Sequence, residues 1–444
     1  MAINYSNGES RARTLGSAVT SLDAWLDTMR GPDGHGGPVA HWWQNCLQFT
    51  GAGLDWRYEG IIIGYLNLYR KTGEERWLAK ARRAGDDLVR GQLPTGNFRN
   101  SCFELNPYTG GTPHEAACDV ALLHLARVLR EKGDPAWQTY AATAEHNLQA
   151  YIIGVLWDET RQVFQNTVSD ASFVPNKAAT IVEALLAWAS LSGDDEPLER
   201  YALPTLEAIL RCQVRAPGTR LDGAIDQGCI GQDGTGRFFP FYIARCIPAL
   251  VRGYTLTGQG RYLEAAHSAM SFVLRERLPD GSFPQVIYRN GRTNRYPRWV
   301  AGVGDILRAM EVMRQQGMEI SLDSTIEWLM KGQPPCGGFR TAKGFASQAS
   351  QRTPPSLPEF RDILPVCGWA DKAFRYLTSC VQGNLEPGTA EIEDAELACV
   401  FRGRVMRYRE DATAIELWHE REPVYRWRKG SAWAEICLAS GGIK

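Results

Sequence analysis

Residues 65–98, YLNLYRKTGEERWLAKARRAGDDLVRGQLPTGNF, and residues 250–283, LVRGYTLTGQGRYLEAAHSAMSFVLRERLPDGSF, align without a gap. Each copy holds an apolar helix, a Thr-Gly stop, an aromatic residue (Trp77, Tyr262) opening an amphipathic helix, and then Leu-Pro-x-Gly-x-Phe. A repeated unit that cannot bury its apolar face alone must stack on copies of itself, so this feature constrains the fold more than any other. The glycine stop recurs at Gly73, Gly133, Gly193, Gly258 and Gly317, about 60 residues apart, which is one helical hairpin plus a loop. Glycine suits a helix end because it adopts the left-handed conformation at least cost.

Before each stop lies a helix rich in Ala, Gly and large apolar residues: 60–69, 116–130, 178–191, 241–255 and 300–314. After it comes a more amphipathic helix, as at 75–90 and 198–212. A helix apolar all round belongs inside and one with a single apolar stripe belongs outside. Five complete hairpins result, with an unpaired helix at 17–29 and another at 369–381. If the first is an outer helix and the last an inner one, they pack together and close a ring of six hairpins.

This pattern resembles the (α/α)6 toroid of six-hairpin glycosidases, polysaccharide lyases and sugar epimerases, over roughly residues 15–382. The resemblance is architectural and implies an all-α fold with a carbohydrate-active site. The tail differs. Residues 389–439 alternate short β-branched and aromatic runs with turns, so 386–444 is expected to be a small antiparallel β-rich domain, a cap on the ring or a ligand- or partner-binding unit.

Composition removes several classes. Lys and Arg number 49 against 50 Asp and Glu, for a net charge of -1, which leaves no basic excess to hold nucleic acid. No apolar run is long enough for a bilayer, and residues 1–13 lack a secretory apolar stretch, so a cytoplasmic protein is expected. The 11 cysteines include no Cys-x-x-Cys pair, which argues for buried thiols over disulfides or zinc. Neither metal nor cofactor is expected.

In a ring of hairpins the segments leading into the inner helices converge on one mouth. Here they read DWRYEG, TPHEAACD, VPNKAAT, RFFPFYIAR, RYPRWVAGVGD and PVCGWADKAF, aromatic residues mixed with charges and amides. Saccharides need that mixture, since their C–H faces stack and their hydroxyls hydrogen-bond, although helix N-termini attract polar caps without any function. Glu59, flanked by Trp56 and Tyr58, is expected to act as a general acid with a pKa raised by partial burial. His114, before the helix at 116–130, suits a neutral base, and Glu115 beside it is a further carboxylate at the lip. Asp226, on the glycine-rich stretch LDGAIDQGCIGQDGTGRFFPFY, and Tyr242 complete the proton-transfer candidates. Trp56, Arg57, Lys177, Arg245, Arg298, Trp299 and Asp371 are the expected substrate contacts. Arg245, Arg289, Arg292, Arg295 and Arg298 suggest an anionic saccharide, because guanidinium pairs bidentately with carboxylate. Asn290-Gly291 predicts a type I′ hairpin at the rim.

Two rival classes remain. Gln92 to Phe98 and Gln333 to Phe339 fit Gln-x-x-x-Gly-x-aromatic, with Arg277 in the Gln place of a third copy, a repeat similar to that of triterpene cyclases and related prenyl-handling toroids. The Asp-x-Asp-Asp acid of the protonating cyclases is absent, so the repeat argues for ring shape more than for chemistry. A non-enzymatic saccharide-binding scaffold is the other. A polar, acidic mouth would favour the sugar reading, an apolar closed one the prenyl reading, and one filled by side chains the scaffold.

Overall fold

The computed structural model describes residues 15–40, 45–46, 48–103, 108–110, 113–230, 233–347, 355–381, 385 and 394–436. Parts of the Pro-rich break at 351–358 and both ends of the predicted tail domain lie outside them. Among the described residues, twelve helices build the ring: α1 (Leu15–Thr28), α2 (Arg57–Thr72), α3 (Glu75–Gly91), α4 (Ala116–Glu131), α5 (Trp137–Asn147), α6 (Pro175–Ser192), α7 (Leu203–Arg211), α8 (Pro240–Thr257), α9 (Gly260–Arg275), α10 (Val303–Gln315), α11 (Asp323–Met330) and α12 (Cys367–Cys380). Even-numbered helices form the inner circle. Each packs on the next, and α12 packs on both α2 and α1, which closes the ring as the pattern of end helices requires.

Local chemistry explains the spacing. Gly73, Gly133, Gly193, Gly258 and Gly317 all hold left-handed backbone, with φ of 70°, 74°, 77°, 68° and 86°, so each stop does what the sequence implies. The inner circle needs small residues where helices touch. A Cβ on Gly60 would lie 2.3 Å from the Asp371 carbonyl oxygen, one on Gly64 2.3 Å from the Phe374 ring, and one on Gly304 2.2 Å from the Lys372 carbonyl oxygen. Helix α12 is thus drawn tight between α2 and α10.

The outer circle is stitched by a recurring amide. Gln92 Nε2 donates to the Gly96 carbonyl (3.1 Å) and to that of Thr143 on α5 (2.8 Å). Gln333 Nε2 does the same to Gly337 (2.8 Å) and to Ala18 on α1 (2.8 Å), fastening the last hairpin to the first helix. Gln213, in a longer turn that the sequence motif does not match, bonds Gly223 (3.1 Å) and Ala265 on α9 (2.9 Å). Arg277 reaches the Ser321 carbonyl before α11 (2.6 Å). The Gln-x-x-x-Gly turns are therefore the seam between consecutive outer helices.

The tail forms a four-stranded antiparallel meander, β1 (Ala395–Phe401), β2 (Arg404–Glu410), β3 (Ala414–His419) and β4 (Glu422–Arg428). Strand β2 alternates buried Met406, Tyr408 and Glu410 with exposed Arg407 and Arg409, the two-residue period of a half-covered sheet. Its covered face joins the ring's core without a break. Glu410 anchors the junction, accepting from Trp25 Nε1 of α1 (2.8 Å) and Lys429 Nζ (2.8 Å), and from the Tyr408 hydroxyl. A ribbon forms around Asn290-Gly291, with Val286–Tyr288 paired to Thr293–Asn294. Only Gly291 of the two is left-handed, and the Tyr288 and Arg292 backbones close a longer loop, so the predicted type I′ turn is replaced by a type I turn with a bulge at the glycine.

Candidate active site at the mouth of the ring

All six segments leading into inner helices reach one cavity of about 310 Å³. They supply Trp56 and Glu59 (α2), His114 and Ala117 (α4), Asn176, Lys177 and Thr180 (α6), Phe239, Phe241, Tyr242 and Arg245 (α8), Asp305 (α10), and Trp369 and Lys372 (α12). The glycine-rich loop adds Gln227, Thr235 and Arg237. One wall is a run of rings. Trp369 lies 5.6 Å from Phe241, which lies 5.3 Å from Tyr242, which lies 5.1 Å from Phe239, and Trp299 stacks behind Trp369 at 4.4 Å. The His114 ring sits 5.0 Å from that of Trp56, whose Nε1 is fixed by the carbonyl of Gly368, the neighbour of Trp369, at 2.8 Å.

The polar walls are basic, where an acidic mouth had been expected for a sugar site. Lys177, Arg237, Arg245 and Lys372 face Glu59 and Asp305. Lys177 Nζ donates to Asn166 Oδ1 at 2.6 Å, which aims the lysine along the wall. Two wall amides, Asn176 Oδ1 and Gln227 Oε1, are buried acceptors with no donor among the described residues. Buried acceptors of this kind cost free energy until something donates to them.

The floor is a layer of buried ions. Glu59 is bound by Arg245 and Arg375, Glu183 by Arg308, and Arg245 Nη1 lies 3.8 Å from Asp305. Burial would raise the Glu59 carboxyl, but the Arg245, Arg375 and Arg308 guanidiniums outweigh it and hold it far below the ordinary carboxylate range. Glu183 is likewise carried down to about 2 by Arg308 and Arg245 against the effect of burial. Asp371 goes the other way. Burial lifts it to about 7 although Lys372 Nζ donates to it at 2.8 Å. Asp119 on α4, fully buried and with neither oxygen bonded among the described residues, is also pushed well up, by burial first and then by Glu115.

This geometry redistributes the expected roles. Glu59 faces the cavity as a permanent carboxylate, so the raised pKa expected of it is not found, and it is unsuited to donate a proton. His114 and Tyr242 line the cavity, as do Trp56, Lys177 and Arg245, although Arg245 is already engaged with Glu59. Asp226 does not line it. It ties down the glycine-rich loop, accepting from the Thr235 hydroxyl (2.5 Å), Gly236 N (2.8 Å) and Gly228 N (3.3 Å). Glu115 pins the preceding loop, receiving Ser101 Oγ at 2.6 Å and Asn147 Nδ2 at 2.8 Å. Arg57 is buried against Asp55 (2.7 and 2.9 Å) under the Phe103 ring, and Arg298 reaches Asp280 (2.9 Å) over Tyr296, so neither faces the cavity. Trp299 backs Trp369, and Asp371 packs on Gly60 behind Lys372. The expected arginine cluster is dispersed: Arg289 lies by Asp226 (3.4 Å) and Arg292 over Tyr288.

Sequence reasoning missed Asn176, Gln227, Asp305, Trp369, Lys372 and the ion layer of Glu183, Arg308 and Arg375. A signal was present. Asn176, Thr180 and Glu183 stand at i, i+4 and i+7 on a helix whose other residues are mostly apolar, and a polar stripe on an inner helix points to the axis.

No protein-family model matches the chain, and no curated protein does. Solved structures do. An unsaturated glucuronyl hydrolase specific for heparin is 11% identical, with a TM-score of 0.59 over 82% of this chain and 95% of its own. Cellobiose 2-epimerase from Bacillus thermoamylovorans is 12% identical, at 0.61 over 83% and 99%. An α-1,6-mannanase variant of Salegentibacter, in complex with α-1,6-mannotetrose, is 13% identical, at 0.55 over 83% and 98%. The chain has the (α/α)6 fold. At these identities the likeness shows the fold alone. The prenyl-cyclase alternative loses its support, because the Gln-x-x-x-Gly repeat is a seam and six ionisable side chains, Glu59, Asp305, Lys177, Arg237, Arg245 and Lys372, line the cavity beside its aromatic wall. Among the described residues no three His, Cys, Asp or Glu side chains gather as a metal site would, and no helix is long and apolar enough to cross a membrane.

Proposed function

We propose that the chain is a carbohydrate-active enzyme acting on a small, negatively charged saccharide held in the mouth cavity. The observation that carries this reading is the pairing within 310 Å³ of a continuous aromatic wall with four basic side chains and two unsatisfied amide acceptors. Ring faces take the C–H surface of a sugar, Asn176 and Gln227 take hydroxyl protons, and Lys177 and Arg237 take a carboxylate.

His114 and Tyr242 are the proposed proton carriers. Both carboxylates on the wall, Glu59 and Asp305, stand beside Arg245, so the acid and base pair of a two-carboxylate hydrolysis is not what this cavity offers. An imidazole and a phenol across a sugar instead suit abstraction and return of a carbon-bound proton, as in elimination or epimerisation. The test is turnover on a panel of uronate-containing and neutral di- and oligosaccharides. His114→Ala and Tyr242→Phe are each expected to lower kcat by about 10² with the melting temperature unchanged. Near-full activity in both would remove the proton-transfer assignment, and no turnover of any anionic saccharide by the wild type would remove the substrate class.

A further inference from the structure

The ring has a second cavity, of about 390 Å³, at the opposite end of the same helices. It is walled by the C-terminal halves of α4 (Leu123 to Glu131) and α6 (Ala187 to Leu191) and by Arg252 near the end of α8. On α4 the mouth cavity uses Ala117 and this one His124, seven residues further on and so about 10 Å along the helix. The ion layer of Glu59, Glu183, Arg245 and Arg308 belongs to the stretch between them.

Its charge is one-sided. Arg127, Arg130 and Arg252 face a single carboxylate, Glu131. His124 adds no charge, because burial and the neighbouring Arg127, Arg375 and Arg70 carry its imidazole down to about 3, which leaves it neutral. Arginines in the last turn of a helix usually cap carbonyls and complement the helix dipole. Arg130 does so, donating to the Leu191 carbonyl at 2.6 Å. Arg127 and Arg252 stand before the last turns of their helices and donate to no carbonyl among the described residues. Arg127 reaches only His124 Nδ1 at 3.4 Å and Glu131 at 3.9 Å, and its Nε is buried with no acceptor among the described residues. Arg252 is exposed and makes no hydrogen bond or ion pair among the described residues. Arg70, at the end of α2, feels Arg127 as a like charge and has its guanidinium pKa lowered, first by burial and then by that repulsion. Elsewhere in the ring, buried arginines such as Arg308 and Arg375 each hold a carboxylate. This end therefore gathers guanidinium donors in excess of their acceptors around an open space.

We propose that this basal cavity binds the phosphoryl group of a small phosphorylated molecule, with Arg127 and Arg252 as its guanidinium ligands and the Ser190 hydroxyl as a further donor. A tetrahedral dianion matches the planar donor fork of arginine, which can give two parallel N–H bonds to two of its oxygens. The cavity is several times the size of one phosphate, and Leu123, Ala187 and Leu191 line the remainder, which suits an uncharged portion the size of a sugar.

Isothermal titration of the full chain with glucose 6-phosphate, inorganic phosphate and glucose tests this. The expected order of affinity is glucose 6-phosphate above inorganic phosphate, with no binding of glucose at this end. Arg127→Gln/Arg252→Gln is expected to weaken both phosphate-bearing probes at least tenfold, and raised salt to weaken them in the wild type. Because the mouth is also basic, a Lys177→Ala/Arg237→Ala variant is titrated in parallel and should keep the phosphate affinity. Phosphate binding lost in the mouth variant but retained in Arg127→Gln/Arg252→Gln would overturn the proposal, as would the absence of phosphate binding in the wild type. Thermal melts of each variant exclude unfolding as the cause, and Arg127→Lys, which keeps charge but not the fork, should retain only part of the affinity.

Discussion

The outer seam and the inner floor of the ring are both held by buried polar groups, yet they are built on opposite plans. At the seam one amide is used over and over: Gln92, Gln213 and Gln333 each bond their own turn and the backbone of the next outer helix. On the floor nothing repeats. Glu59 is met by Arg245 and Arg375, which lie 186 and 316 residues away in sequence. A seam must recur because the same backbone step recurs, whereas a floor shared by six helices is made once, and its residues can differ at every position. Chemistry belongs in the second kind of region.

The comparison can be broken most forcefully at Glu59. Glu59→Ala strands Arg245 and Arg375 without their carboxylate, and is expected to cost about 3–5 kcal/mol in chemical denaturation. A loss near that of a surface change would mean the floor is more hydrated than its burial indicates. Next in size is His114→Ala, whose expected effect on turnover of about 10² equals about 2.7 kcal/mol of barrier with no loss of stability. At the seam, Gln333→Ala removes two neutral hydrogen bonds and should cost about 1–2 kcal/mol without changing kcat. An effect on kcat as large as that of His114→Ala would erase the division between seam and site.

The smallest expected effect is a pH slope. Asp371 has its carboxyl raised by burial to about 7, so between about pH 4 and 7 the folded chain holds a proton that the unfolded chain has released. Its contribution to stability therefore falls as pH rises through that window, and Asp371→Asn should flatten the decline. Glu59 has the opposite sign: its depressed carboxyl stabilises the fold above the ordinary glutamate pKa and loses that effect as pH falls below it. Melts of Asp371→Asn and Glu59→Ala from about pH 2 to 8 separate the two.

The same contrast explains what was legible in the sequence. The five glycine stops, the inner and outer helix characters and the pairing of the end helices are local or periodic, and the ring follows from them. Segments that lead into inner helices were also readable as a shared mouth, since topology alone brings Trp56, His114, Lys177 and Tyr242 together. Individual roles were not. Glu59 beside Trp56 and Tyr58 reads as a half-buried acid until Arg245 and Arg375 arrive from distant hairpins. Asp226 in a glycine-rich stretch reads as a reactive group, but its oxygens are taken by Thr235 and Gly236, which only the fold of the loop reveals. Arg57 and Arg298 carry the right charge at the right segments and face away: Arg57 opens α2 and is turned onto Asp55, and Arg298 lies on the strand before α10 and is drawn to Asp280.

The central claim is that the mouth cavity selects an anionic saccharide, and its most direct test is calorimetric titration with a matched pair, cellobiose and its uronate counterpart, on wild type and Lys177→Ala/Arg237→Ala. The wild type is expected to bind the uronate at least tenfold more tightly, and the variant to lose that preference with the neutral sugar unaffected. Equal binding of the two sugars by the wild type, or a uronate preference that survives removal of Lys177 and Arg237, would contradict it.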